Sequence, residues 1–144
     1  MSKVAVVYWS STGNTESMAN AVAEGAKAAG AEVTAFEASD FSADKMDEFD
    51  AVAFGCPSMG CEELEDTIFE PMFASCESKL QGKKIALFGS YGWGDGEWMR
   101  DWAERMKNAG AVLLREEGII TNDAPEDDML EELKAAGQEL AQKA

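Results

Sequence analysis

Apolar residues cluster in five runs that read as strands, 3–9, 31–37, 50–56, 83–90 and 111–120. Between them lie stretches with helical spacing of apolar positions, at 14–29, 63–78, 96–109 and 126–143. Val4-Ala5-Val6-Val7-Tyr8-Trp9 and the run 51–56 are almost unbroken by polar residues, as expected of parallel strands covered on both faces. Glycine stops follow two of the helical stretches, at Ala28-Ala29-Gly30 and Asn108-Ala109-Gly110. Segment 38–49 has the length of a helix, but Ser39-Asp40-Phe41-Ser42 reads as a loop with a short turn. Strands alternating with helices over short joints predict an α/β fold, a three-layer doubly wound sandwich with right-handed crossovers. No repeat, linker or low-complexity tract interrupts it, so residues 1–144 are expected to form one domain.

In an open parallel sheet, ligands bind beyond the carboxyl ends of the strands where strand order reverses. Three segments stand there. After the first strand comes Ser10-Ser11-Thr12-Gly13-Asn14-Thr15, rich in hydroxyls and without charge until Glu16. Backbone N–H groups, hydroxyls and the positive end of the next helix would together hold a phosphate with no lysine or arginine. Such a site suits a phosphomonoester on a cofactor that stays bound. The plainer reading is a strand–helix turn with a hydroxyl cap. Neither the Walker pattern nor a G-x-G-x-x-G fingerprint is present, which argues against triphosphates and dinucleotides in this loop. The second segment is Pro57-Ser58-Met59-Gly60-Cys61-Glu62 and the third Ser90-Tyr91-Gly92-Trp93-Gly94-Asp95. A methionine in one and an aromatic pair in the other, each beside glycine, could sandwich a flat ring.

Charge narrows the partners. The chain carries 28 acidic against 12 basic residues, a net charge of −16. From Glu37 to Glu70 the only base is Lys45. Nucleic acid and anionic membranes are repelled by such a surface, while a basic protein is steered toward it. Solubility alone is the other use of such acidity. With no histidine, Ser-His and Cys-His catalysis are excluded, and Cys56, Cys61 and Cys76 form no metal-binding pattern. No apolar run approaches the roughly 20 residues a membrane helix needs. No signal-peptide architecture precedes the first strand, so a cytoplasmic location is expected.

Taken together, the three loops resemble those of the flavodoxins, in particular the short-chain flavodoxins of anaerobic bacteria. Tyr8-Trp9-Ser10-Ser11-Thr12-Gly13-Asn14-Thr15 is similar to that family's FMN phosphate loop. Phe88-Gly89-Ser90-Tyr91-Gly92-Trp93-Gly94-Asp95-Gly96 is similar to its flavin-covering loop, and Gly55-Cys56-Pro57-Ser58-Met59-Gly60 to the loop over the other flavin face. The likeness covers the chain from Val4 to the last helix. It implies a five-stranded parallel sheet of order 2-1-3-4-5. Long-chain members carry an insertion in the fifth strand, for which Val112 to Thr121 leaves no room. Carried over, Ser10 to Thr15 would hold the phosphate with Ser58 and Ser90 as further donors, and Met59 and Trp93 would flank the isoalloxazine. Glu62 would accept from the flavin N3–H, and Gly60 would sit beside N5. Cys61 departs from the aspartate common at its position, a residue that tolerates turn geometries better.

The function so implied is a low-potential, one-electron carrier with non-covalently bound FMN, and not an enzyme. It is expected to be a monomer that shuttles electrons between redox proteins with basic patches, such as oxidoreductases and flavodoxin or ferredoxin reductases. The acidic segment Glu62, Glu63, Glu65 and Asp66, with Asp95 and Glu97, would rim the flavin edge. The alternative is an FMN-dependent NAD(P)H:quinone reductase on the same fold, which needs a nicotinamide pocket. A receiver domain would need an acidic pair where Trp9-Ser10-Ser11 stands.

Overall fold

The computed structural model describes residues 2–115 and 117–144. Its strands are β1 (Lys3–Tyr8), β2 (Glu32–Glu37), β3 (Ala51–Gly55), β4 (Lys84–Tyr91), β5 (Val112–Leu113) and β6 (Ile119–Asn122). Its helices are α1 (Asn14–Ala28), α2 (Ala43–Met46), α3 (Phe69–Cys76), α4 (Glu97–Asn108) and α5 (Asp127–Lys143). All pairings are parallel, in the order β2-β1-β3-β4-β5, with β6 beside β4 as well. Segment 38–49 is a 3₁₀ turn, Ala38–Asp40, followed by the one-turn α2.

The uninterrupted apolar strands serve two cores, because successive side chains point to opposite faces. Val4, Val6, Ala51 and Ala53 face α1 and α5, whereas Ala5, Val7, Val52 and Phe54 face α3 and α4. Small residues on the first face let the helices come close. A Cβ on Gly25 would fall 1.9 Å from the Lys134 carbonyl oxygen, and one on Gly137 would fall 2.1 Å from that of Val22. The other face is aromatic: Phe54 meets Phe73 edge-on at 5.3 Å, and Trp102 meets Phe69 at 5.4 Å.

Two elements differ from the sequence pattern. The third helix starts at Phe69 rather than 63. Pro71 explains this, since proline has no N–H and is tolerated only in a first turn. The N–H groups left unpaired at that start are taken up by Glu65: its carboxylate accepts from Ile68 N–H at 2.8 Å and Phe69 N–H at 2.7 Å. The fifth strand, expected over 111–120, is broken into β5 and β6. Lys84 faces Val112 but Phe88 faces Ile119, so four steps along β4 correspond to seven on its neighbour. The neighbouring segment is thus three residues longer than β4 over this span, far fewer than an inserted subdomain.

Candidate functional site

The three loops converge on the carboxyl end of β4, and Ser90 joins them. Its hydroxyl, buried, lies 3.0 Å from the hydroxyl of buried Thr15 on the first loop. Its carbonyl accepts from Ser58 N–H on the second, at 3.0 Å. In the first loop, Ser10 Oγ turns inward and accepts from the N–H groups of Gly13 (3.1 Å) and Glu16 (3.2 Å). Gly13 takes φ +97°, a left-handed conformation that glycine adopts without the Cβ penalty. That leaves Ser11 and Thr12 exposed and Asn14 half-buried ahead of the α1 N-terminus. The concavity so formed contains N–H groups and hydroxyls and no lysine or arginine, which fits a phosphate dianion held by hydrogen bonds and a helix dipole.

The second loop is a tight excursion. Met59 and Glu63 exchange both backbone hydrogen bonds, at 2.8 and 2.9 Å, leaving Gly60, Cys61 and Glu62 at the tip. Gly60 (φ +53°) and Glu62 (φ +55°) are both left-handed, and for glutamate this is a strained conformation. Glu62 Oε1 accepts from the N–H groups of Gly96 and Glu97, each at 3.2 Å, so a carboxylate from this loop sits on the N-terminus of α4. The fit is close: a Cβ on Gly94 would lie 2.4 Å from that oxygen. Glu62 thereby ties the second loop to the third, and its other oxygen is available to a ligand.

In the third loop the aromatic residues divide. Tyr91 packs on Trp98, with ring centroids 5.5 Å apart, and supports the loop from the core side. Trp93, between exposed Gly92 and Gly94, is 61% exposed, the most exposed large apolar residue described. Asp95 is exposed and paired with Arg100 at 2.9 Å. Pro57 is buried beneath the second loop, and Met59 is half-buried above it. An exposed indole and a half-buried methionine on neighbouring loops at a sheet switch point fit the edge of a flat aromatic cofactor.

Trp9, quoted in the sequence analysis only as part of the stretch leading into the phosphate loop, was given no role of its own. In the structure it lines a 230 Å³ cavity with Met59, Gly60 and Leu64. Support from β6 was also missed: Asp123 N–H donates to the Tyr91 carbonyl at 2.8 Å, steadying the third loop. Glu65, expected on the exposed rim, is instead 5% exposed and turned under the second loop. Four donors surround its carboxylate, including the Thr67 hydroxyl, so it is a structural anchor and not a steering charge. The remaining rim acids, Glu63, Asp66, Asp95 and Glu97, are exposed.

Cys56 is fully buried, and burial pushes its thiol well above the ordinary range; Cys76 is buried and raised likewise. Cys61 is exposed at the loop tip. Among the described residues no cluster of ligating side chains could hold a metal, and no helix is long and apolar enough to cross a membrane.

The flavodoxin family model matches residues 6–137. The chain belongs to the flavodoxin family. It is 46% identical over 138 residues to a flavodoxin of Megasphaera elsdenii, covering 96% of this chain and 98% of that one. Identity to a flavodoxin of Clostridium beijerinckii is also 46%, over 128 residues, covering 88% of this chain and 93% of that one. The solution structure of the two-electron reduced M. elsdenii flavodoxin superposes with a TM-score of 0.84 at 44% identity, covering 94% and 98% of the two chains. These are relatives of the short-chain, anaerobic-bacterial type. As a flavodoxin, the chain is an electron-transfer flavoprotein with FMN as its cofactor, not an enzyme, and it passes electrons to redox partners.

Proposed function

We propose that residues 1–144 act as one cytoplasmic, monomeric, low-potential FMN carrier whose cofactor is held by the three loops joined at Ser90. Bound FMN supplies the one-electron chemistry; the protein supplies binding, orientation and electrostatics. Ser10 to Thr15 hold the phosphate: the exposed hydroxyls of Ser11 and Thr12 and the first-turn N–H groups of α1 donate, and Ser10 stiffens the loop from within. Met59 and Trp93 exclude water from the two faces of the ring. Glu62 positions its edge with the carboxylate oxygen not spent on α4. The Gly60–Cys61 peptide would offer its backbone carbonyl as a hydrogen-bond acceptor beside the ring. Ser58, Tyr91, Gly92, Gly94 and Asp95 shape the rim.

The low potential rests on the surroundings. Negative charge added to a ring between apolar side chains, in a chain of net charge −16, is disfavoured by desolvation and by like charge. Each ~1.4 kcal/mol of that penalty lowers a one-electron potential by about 59 mV. Exposed acids around the ring edge favour partners with basic faces.

The observation that carries this reading is Trp93, 61% exposed on a loop that Glu62 and Ser90 lock to the other two. Trp93→Ala admits water to the ring, so FMN binds more weakly and the lower of the two potentials rises, measured by redox titration. Unchanged potentials and affinity in that variant would remove Trp93 from the flavin face.

A further inference from the structure

Thr15, 1% exposed, is the second residue of α1, and Ser90, 6% exposed, is the last but one of β4. Their hydroxyls lie 3.0 Å apart, and among the described residues neither has another hydrogen-bond partner. Each hydroxyl carries one proton and can accept twice. One of the two protons serves the contact, so the pair as a unit holds a second proton that no group of the described residues accepts. A buried donor left so is costly, and buried polar groups are rarely left so. Which residue carries that proton depends on the direction of the contact. If Thr15 donates, it stays on Ser90, at the end of a buried strand whose carbonyl there is already taken by Ser58 N–H. If Ser90 donates, it stays on Thr15, in the first turn of α1. Backbone N–H groups there also lack acceptors within the helix, and the helix dipole favours an anion.

We propose that Ser90 donates to Thr15 and so turns the Thr15 hydroxyl proton toward a phosphate oxygen at the start of α1. Ser90 is then a positioning residue that acts on the phosphate only through Thr15. This rests on the FMN reading given above, and it replaces the expectation from sequence that Ser90 is itself a phosphate donor. An ionised acceptor makes the bond from Thr15 about twice as strong as a neutral one would. A hydroxyl that is accepting a bond also donates a stronger one, so the two steps reinforce each other. A neutral ligand would not select this direction, because neither hydroxyl then has the better acceptor; an anion does. Threonine suits the inner place, since its branched side chain is restricted at χ1 and keeps the hydroxyl where Ser90 meets it. The Ser90 carbonyl holds Ser58 N–H at 3.0 Å, so the strand end that orients Thr15 is itself fixed by the second loop.

The probes are FMN and riboflavin, which differ only by the phosphate, titrated into the full flavin-free chain. Ser90→Ala should weaken FMN about three- to fivefold and riboflavin less than about 1.5-fold. Thr15→Val keeps the shape and removes the hydroxyl, so FMN should bind about tenfold or more weakly, while Thr15→Ser should retain the wild-type preference for FMN. In the Thr15→Val background, Ser90→Ala should cost FMN less than about 1.5-fold, because its path to the phosphate is gone. The phosphorus NMR resonance of bound FMN gives a second readout: Ser90→Ala should move it in the wild-type background and not in Thr15→Val. Losses that multiply in the double variant, or a resonance that moves in both backgrounds, would make Ser90 a direct donor and overturn the proposal. Equal weakening of FMN and riboflavin by Ser90→Ala would reduce the contact to packing and overturn it as well. A wild-type protein with equal affinity for the two flavins would instead overturn the phosphate reading on which the proposal rests.

Discussion

Replacing Glu65 with glutamine tests how the second flavin loop is held. Glu65 Oε2 accepts from the N–H (2.8 Å) and hydroxyl of Thr67, and Oε1 from the N–H groups of Ile68 (2.8 Å) and Phe69 (2.7 Å). A glutamine amide has one acceptor oxygen, so whichever way it turns, two donors meet an NH₂ group. Hydrogen bonds to a charged acceptor contribute about 1.5–3 kcal/mol each, and water reaches exposed Thr67 to offset part of the loss, so Glu65→Gln should cost about 3 kcal/mol. Burial acts to raise the Glu65 pKa, but the hydrogen bonds from Thr67, Phe69 and Ile68 outweigh it and hold the pKa below the usual glutamate value. The sign of the pH dependence follows. The unfolded chain binds this proton more tightly, so the stabilisation is complete above the unfolded pKa of about 4.3 and disappears as pH falls through the lower folded value. Urea unfolding at fixed FMN should therefore show a midpoint deficit at pH 7 that shrinks below about pH 4, because protonated Glu65 resembles glutamine. A deficit under about 0.5 kcal/mol, or one indifferent to pH, would refute the anchoring role.

The two buried indoles of α4 form a matched pair. Trp98 Nε1 donates to the Cys56 carbonyl at 3.1 Å while Trp102 Nε1 has no partner, so both phenylalanine variants leave a cavity but only Trp98→Phe orphans a carbonyl. Trp98→Phe should be the more destabilising by about 1–3 kcal/mol in thermal unfolding, and equal costs would contradict the assignment. At the loop tip, Cys61→Gly or Cys61→Asp should ease rotation of the Gly60–Cys61 peptide and raise the first one-electron potential relative to the second. Cys61→Ser should leave electron-transfer rates intact; their abolition in that variant would mean that the thiol takes part.

The sheet and its two cores were legible because β1 from Val4 onward and β3 throughout lack charged and polar side chains, as parallel strands covered on both faces require. The phosphate loop was legible for a related reason: a buried strand that stops at an uncharged Ser-Ser-Thr-Gly stretch has few other uses. Starting α3 at 63 failed because the helical spacing of 63–78 was weighed without Pro71, which confines the helix to begin just before it. The break between β5 and β6 depends on a change of register against β4, a property of two segments that neither one shows alone. Glu65 was misread by its company. In a run of acids it looks like one more surface charge, and only the fold shows it folded back onto the start of α3. The ties of Glu62 to Gly96 and Glu97, and of Ser90 to Thr15, join residues far apart in the chain, so residue type identified the participants but not their partners.

The central claim is that an uncharged loop on β1 and α1 recognises the terminal phosphate of FMN while Met59 and Trp93 hold the ring. Titration of the flavin-free protein with FMN and with riboflavin, followed by quenching of flavin fluorescence, tests it most directly. One FMN should bind per chain, riboflavin should bind at least about 100-fold more weakly for lack of the phosphate hydrogen bonds, and Thr12→Val should weaken FMN but not riboflavin. Equal affinity for the two flavins, or equal losses for both in Thr12→Val, would contradict the account.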